Sequence, residues 1–78
     1  MKTNEDRMIR IANLAEEHYG NGEVKFVGVK FDPENKVFVS KLKLQTQMSI
    51  YESGVTSEDS LKKLKLRIKK IIKRYGAV

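Results

Sequence analysis

Apolar residues recur with a helical period near the N-terminus of the chain. At about 100° per residue, five of them fall on one side of a helix: Met8, Ile11, Ala12, Ala15 and Tyr19. Thr3 and Asp6 have the spacing of a capping box, in which each side chain accepts a hydrogen bond from the other residue's backbone amide. Gly20 is expected to end the helix in a left-handed conformation. The pattern predicts an α-helix over residues 4–19.

Alternation of apolar and polar residues follows this helix and predicts three β-strands. The strands are expected over residues 23–31, 37–45 and 48–53. The segment Asp32-Pro33-Glu34-Asn35 has the composition of a type I turn accompanied by one left-handed residue. Residues 45–47 contain no glycine, proline or asparagine, so the sequence leaves open whether they form a tight reversal or a continuous bent strand.

A helical period returns in the last third of the chain. Thr56 or Ser57 is expected to cap this C-terminal helix. Glu58 and Asp59 fall in its first turn, where acids suit the positive end of the helix dipole. Its apolar residues lie within one arc: Leu61, Leu64, Ile68, Ile71, Ile72 and Tyr75. Gly76 is expected to end the helix.

Together these elements predict one α+β domain over residues 1–78, in the order helix, three strands, helix. Consecutive strands joined by short turns form an antiparallel sheet. We expect one face of this sheet to pack on both helices and the other to meet solvent. The predicted core is Met8, Ile11, Ala15, Tyr19, Val27, Val29, Phe31, Phe38, Leu42, Leu44, Met48, Ile50, Leu61, Leu64, Ile68, Ile71 and Ile72.

Positive charge is concentrated in the second half of the chain. The 78 residues carry a net charge of +6. Residues 1–35 hold five Lys/Arg and seven Asp/Glu, a balance of −2, whereas residues 36–78 hold eleven and three, a balance of +8. Such an asymmetry favours a polyanionic partner over general solubility.

The face of the C-terminal helix opposite its apolar arc is almost entirely basic. It carries Lys62, Lys63, Arg67, Lys69, Lys70, Lys73 and Arg74, is interrupted only by Leu66, and no acid follows Ser60. Like charges three or four residues apart cost roughly a few tenths of a kcal/mol per pair, so folding alone does not favour this face. A membrane is not the expected partner, because the apolar arc that would enter lipid is needed to cover the sheet.

DNA or RNA is the partner that this pattern favours, with lysines contacting phosphates and little sequence specificity. Lys41 and Lys43, on the outer face of the second strand, are expected to extend the basic patch. Phe26 and Tyr51 either stack on bases or pack against neighbouring strands. The alternative is a small interaction or inhibitor module, of the kind that phage and mobile elements encode, docking on an acidic protein surface. Leu66 is then the contact residue, or it lies in a homodimer interface, or it is an isolated exposed leucine of the kind that most protein surfaces carry.

Catalysis, cofactors and metals are not expected. His18 is the only histidine, there is no cysteine, and no glycine-rich phosphate loop is present. Without thiolates the chain forms no disulfide, which suits a cytoplasmic location. The first residues lack the apolar core of a signal peptide, and the longest uncharged run, residues 44–51, is too short to span a bilayer.

The segment "YESGVTSEDSLKK", residues 51–63, and the order of elements resemble the double-stranded-RNA-binding domain family. Gly54, Ser57 and Lys62 correspond to the family's loop glycine, capping serine and a helix lysine. The family places two lysines directly after that serine to contact phosphates across the major groove; this chain has Glu58 and Asp59 there. The resemblance implies the helix–three strands–helix fold and a duplex RNA partner.

Overall fold

The computed structural model describes residues 3–75 and shows the predicted α+β fold. In chain order the elements are α1 (Asn4–Tyr19), β1 (Val24–Asp32), β2 (Val37–Leu44), β3 (Ser49–Gly54) and α2 (Ser57–Tyr75). The strands form one antiparallel sheet in the order β1-β2-β3. The predicted end of α2 at Gly76 and the side chain of Tyr75 lie outside the described part.

Short polar side chains fix the helix ends. The predicted capping box of α1 is confirmed: Thr3 Oγ1 accepts from the amide of Asp6 at 3.1 Å, and Asp6 Oδ2 accepts from the amide of Thr3. Gly20 ends α1 at φ 119° and ψ 154°, a positive φ as expected but not the left-handed helical conformation. At the start of α2, Thr56 Oγ1 is the cap that accepts from the amide of Asp59 at 3.0 Å.

Both strand connections are turns with one residue at positive φ. In the first, Lys36 adopts φ 56° directly before β2, so the predicted turn with a left-handed residue is confirmed. In the second, residues 45–47 form a tight reversal, closed by a hydrogen bond from the amide of Leu44 to the carbonyl of Met48 at 2.9 Å. Gln47 takes the left-handed position there, with φ 73°. The bent-strand alternative is therefore excluded.

The core lies between one face of the sheet and the two helices. Its buried apolar residues are Ile11, Ala15, Leu42, Leu44, Ile50, Leu61, Leu64 and Ile68, all of them predicted. Predicted residues that pack around this cluster while staying partly exposed are Met8, Tyr19, Val27, Val29, Ile71 and Ile72. Leu14 and Val24 also pack against it and were missed.

Two predicted core residues are exposed instead. Phe31 is 47% exposed because α1 packs near the start of β1, whereas Phe31 lies near the end of that strand. Its ring packs edge-on against half-buried Phe38, at 5.1 Å between centroids. Met48 is 50% exposed because it precedes β3 and belongs to the turn.

Two buried serines attach α2 to the sheet. Ser40 Oγ lies 2.9 Å from the carbonyl oxygen of Ser60, and Ser60 Oγ donates to the carbonyl of Glu52 at 3.0 Å. Gly54 allows this close approach, because a Cβ at that position would lie 2.5 Å from the backbone nitrogen of Ser60. The first turn of α2 is thereby held against the end of β3.

The two helices begin side by side. Asn4 Nδ2 donates to Ser57 Oγ at 2.7 Å, and the Arg7 guanidinium contacts the Glu58 carboxylate at 2.6 Å. Farther along, His18 and Tyr19 line the same surface groove as Arg67 and Ile71. The helices therefore run in the same direction, and the outer face of the sheet carries neither of them.

Candidate nucleic-acid interface

The outer face of α2 presents the basic residues that the sequence assigned to it. Because Leu61, Leu64 and Ile68 are buried, the opposite side of the helix points to solvent. It carries two adjacent rows, Lys62-Leu66-Lys69-Lys73 and Lys63-Arg67-Lys70-Arg74, each following the three- and four-residue spacing of one helix face. All eight residues are exposed. We call them the basic rows.

Three cations near the start of the basic rows have carboxylate partners. Lys62 Nζ lies 3.3 Å from Glu58, and Lys63 Nζ lies 3.5 Å from Asp59, one helical turn earlier. Arg67 Nη1 donates to Glu52 of β3 at 3.0 Å. These pairs were not predicted from the sequence, because the acids precede Ser60 or belong to another element. The i, i+4 spacing of the two lysine pairs was visible in the sequence.

The three lysines farther along have no such partner. Lys69, Lys70 and Lys73 are exposed, and within residues 3–75 no ion pair or hydrogen bond involves their side chains. Nearby, Arg67, Lys70, Ile71 and Arg74 line a shallow depression of about 400 Å³. Unpaired positive charge therefore lies in the C-terminal half of α2.

Lys65 is a further cation beside the basic rows. It is half-buried and lines a groove of about 260 Å³ between the helices together with Arg7, Arg10 and Lys62. Lys65 is not among the site residues predicted from the sequence.

Lys41 and Lys43 are not part of the same surface. Ser40, Leu42 and Leu44 of β2 face α2, so the alternating residues Lys41 and Lys43 lie on the opposite side of the sheet. The structure therefore does not join them to the basic rows. It places them instead on a second surface that is both aromatic and basic.

This second surface is a groove on the outer face of the sheet, with a volume of about 520 Å³. We call it the sheet groove; its lining includes Phe26, Gly28, Lys30, Val39, Lys41 and Tyr51. Phe26 belongs to β1 and Tyr51 to β3, with β2 between them, so these two rings are not a directly paired cross-strand couple. Lys41 Nζ lies 5.5 Å from the centroid of the Tyr51 ring, within cation–π distance.

Comparisons with protein-family models, curated proteins and solved structures gave no match. The resemblance to the double-stranded-RNA-binding domain family stays an expectation from the sequence. Within residues 3–75, neither helix combines the length and the apolar character needed to cross a lipid bilayer.

Proposed function

We propose that the protein binds nucleic acid by contacting phosphates with the basic rows of α2. The observation that carries this proposal is the unpaired group of Lys69, Lys70 and Lys73, exposed on a helix that the core already holds in place. The helix is 19 residues long, which corresponds to about 28 Å and is enough to meet several phosphates.

The chemistry of the basic rows suits phosphates better than base edges. Lysine ammonium groups act as flexible point charges, and seven of the eight residues in the basic rows are cationic, five of them lysines and two arginines. Bases are read mainly by bidentate arginine, asparagine or glutamine contacts in the grooves. The rows contain no asparagine or glutamine. We therefore expect affinity with little sequence preference.

Members of the basic rows contribute unequally in this proposal. A phosphate that contacts Lys62 or Lys63 must replace the carboxylate of Glu58 or Asp59, so part of the attraction is offset. Contacts by Lys69, Lys70 and Lys73 carry no such cost. The C-terminal half of α2 is thus expected to dominate binding.

A salt titration tests the proposal. Affinity for a labelled B-form duplex, followed by fluorescence anisotropy, should fall with a log–log slope of about −0.9 per phosphate contacted. Three contacts imply a loss of about 40-fold between roughly 50 and 200 mM salt. Changing Lys69 and Lys70 to glutamine should reduce the slope by about two units and leave the denaturation midpoint unchanged. The matched double variant at Lys62 and Lys63 should change the slope less.

One result of these titrations would exclude the proposed function. If neither duplex DNA, duplex RNA nor a single strand binds at about 50 mM salt, where phosphate contacts are strong, nucleic-acid binding is excluded. The basic rows, with Leu66 56% exposed at their centre, then present the surface for an acidic protein partner.

A further inference from the structure

The sheet groove is an aromatic surface that the fold leaves uncovered. Phe26 is 53% exposed and Tyr51 is 54% exposed, although large aromatic side chains are usually more buried than this. Both helices pack on the other face of the sheet, and no described residue outside the strands and the β1–β2 turn lines the groove. Two rings are therefore presented to solvent on the same face of the sheet.

The backbone beneath the rings is arranged to keep them on this face. Gly28 pairs with Lys41, and Lys41 pairs with Tyr51, so one row crosses all three strands. The Phe26 ring lies over Gly28: a Cβ at position 28 would be 2.5 Å from Phe26 Cζ. Adjacent strands are about 4.8 Å apart, so β1 and β3 are separated by roughly 10 Å, with Lys41 between the rings.

The charge of the groove is positive. Lys30 and Lys41 line it, and Lys43 lies beside Phe26 in the register of β1 and β2. Among the described residues that line the groove, Asp32 is the only acid, and its carboxylate already accepts hydrogen bonds from the Glu34 amide and the Asn35 side chain. A second copy of the chain is a poor occupant, because two such faces would bring lysine against lysine.

We propose that the sheet groove binds a single-stranded segment of nucleic acid, with bases stacked on Phe26 and Tyr51 and phosphates near Lys30, Lys41 and Lys43. Aromatic rings beside lysines on an open surface are the chemistry by which single strands are held without reading their sequence. A duplex keeps its bases stacked on each other and does not supply free base faces. This inference rests on the proposed function, since it names a class of nucleic acid and adds a second surface.

Two single-tryptophan variants report on the two surfaces separately. The chain has no tryptophan, so Tyr51→Trp places one reporter in the sheet groove and Leu66→Trp places one in the basic rows. An oligothymidylate of about 12 nucleotides, within the range of single-strand sites, should quench the emission of Tyr51→Trp. A B-form duplex should change the emission of Leu66→Trp and leave Tyr51→Trp unchanged.

Affinity measurements complete the test. Phe26→Ala and Tyr51→Ala should each weaken oligothymidylate binding by about 5- to 150-fold, the range for loss of one stacked base, and leave duplex affinity unchanged. Gly28→Ala should weaken it as well, because the new methyl group displaces the Phe26 ring without removing any charge. Val55→Ala, at an exposed apolar position outside the groove, is the matched control and should have no effect.

Each other outcome overturns the inference in a recognisable way. If the aromatic variants bind oligothymidylate as the unaltered protein does, while glutamine at Lys69 and Lys70 weakens it, the groove is not the site and the proposed function stands. If no nucleic acid binds, both fail together. If Phe26→Ala and Tyr51→Ala abolish binding to phosphatidylserine vesicles but not to oligothymidylate, the groove is a lipid surface.

Discussion

At the scale of single residues, backbone conformation places glutamine at a position that suits glycine. Gln47 has φ 73° in the turn between β2 and β3, where three-residue hairpin loops favour glycine. Gln47→Gly should raise the free energy of unfolding by up to about 1 kcal/mol, because glycine adopts this conformation without steric strain. Urea denaturation measures the change. Gln45→Gly, at a residue without positive φ, should be neutral or destabilising; a loss of stability in Gln47→Gly contradicts the argument.

The same residue shows why the sequence left this turn open. Glycine and asparagine mark left-handed positions, and neither occurs in residues 45–47. The reversal forms because Leu44 and Ile50 must both reach the core, which the pairing of Leu42 with Ile50 achieves. The burial of Leu44 and Ile50, and not the composition of residues 45–47, therefore determines this turn.

The Asp32 carboxylate in the β1–β2 turn is expected to make stability depend on pH. The Asn35 side-chain amide, 2.8 Å from the Asp32 carboxylate, lowers the pKa of Asp32; desolvation opposes this, and the amides of Glu34 and Asn35 reinforce it. The unfolded state then binds the proton more readily than the folded state does. The contribution of Asp32 to the free energy of unfolding is therefore fully present above the ordinary aspartate pKa of about 3.9 and is lost as the pH falls below it. The stability difference between the unaltered protein and Asp32→Ala should therefore shrink as pH falls from about 5 to 2. A difference independent of pH excludes this role.

At the scale of elements, two strand glycines permit a matched comparison. A methyl group on Gly54 meets the backbone of α2 at Ser60, which cannot move without shifting the helix. A methyl group on Gly28 meets only the end of the Phe26 side chain, which can rotate away. Gly54→Ala should therefore cost about 1–3 kcal/mol, as overpacking does, and Gly28→Ala far less. Equal losses in thermal or urea denaturation would show that α2 does not pack on β3 in this way.

The apolar face of α2 gives a second element-scale prediction. Ile68 is fully buried, so Ile68→Asp places a charge in the core without a partner and should cost several kcal/mol, enough to unfold a domain of this size. Leu66→Asp, two residues away on the exposed face, should leave the fold intact. Circular dichroism distinguishes the two; a cooperative native melt for Ile68→Asp would contradict the assigned face.

The sequence pattern, with its helical and alternating segments and its short polar residues at the helix starts, was enough to predict both helices, their N-caps and the buried apolar residues. It could not predict Ser40 and Ser60, because burial of a small hydroxyl depends on a carbonyl partner in another element. It also could not separate the paired from the unpaired cations of α2, since the partner of Arg67 is Glu52 on β3. The sequence was enough to identify the cations of the candidate site, whereas the structure was needed to show which of them are ion-paired.

At the scale of the whole molecule, the two helix starts bring acids together at one end. Glu5 and Asp6 lie in the first turn of α1, and Glu58 and Asp59 lie in the first turn of α2 beside it. Unpaired lysines of α2 lie toward the other end. The phosphate contacts proposed here therefore lie toward the C-terminus of α2, away from this acidic end.

This arrangement implies that the acids limit the phosphate-binding surface. Glu58 engages both Arg7 and Lys62; because Arg7 also donates to Asn4 Oδ1, the cation that Glu58→Gln releases is Lys62. Duplex affinity should rise, and its log–log dependence on salt should steepen by about 0.9 when Lys62 gains a phosphate. Glu34→Gln makes the same change in net charge in the β1–β2 turn, where no described ion pair is broken, and should leave the slope unchanged. If the two variants behave alike, duplex affinity depends only on net charge, and the ion pair between Lys62 and Glu58 does not limit phosphate binding.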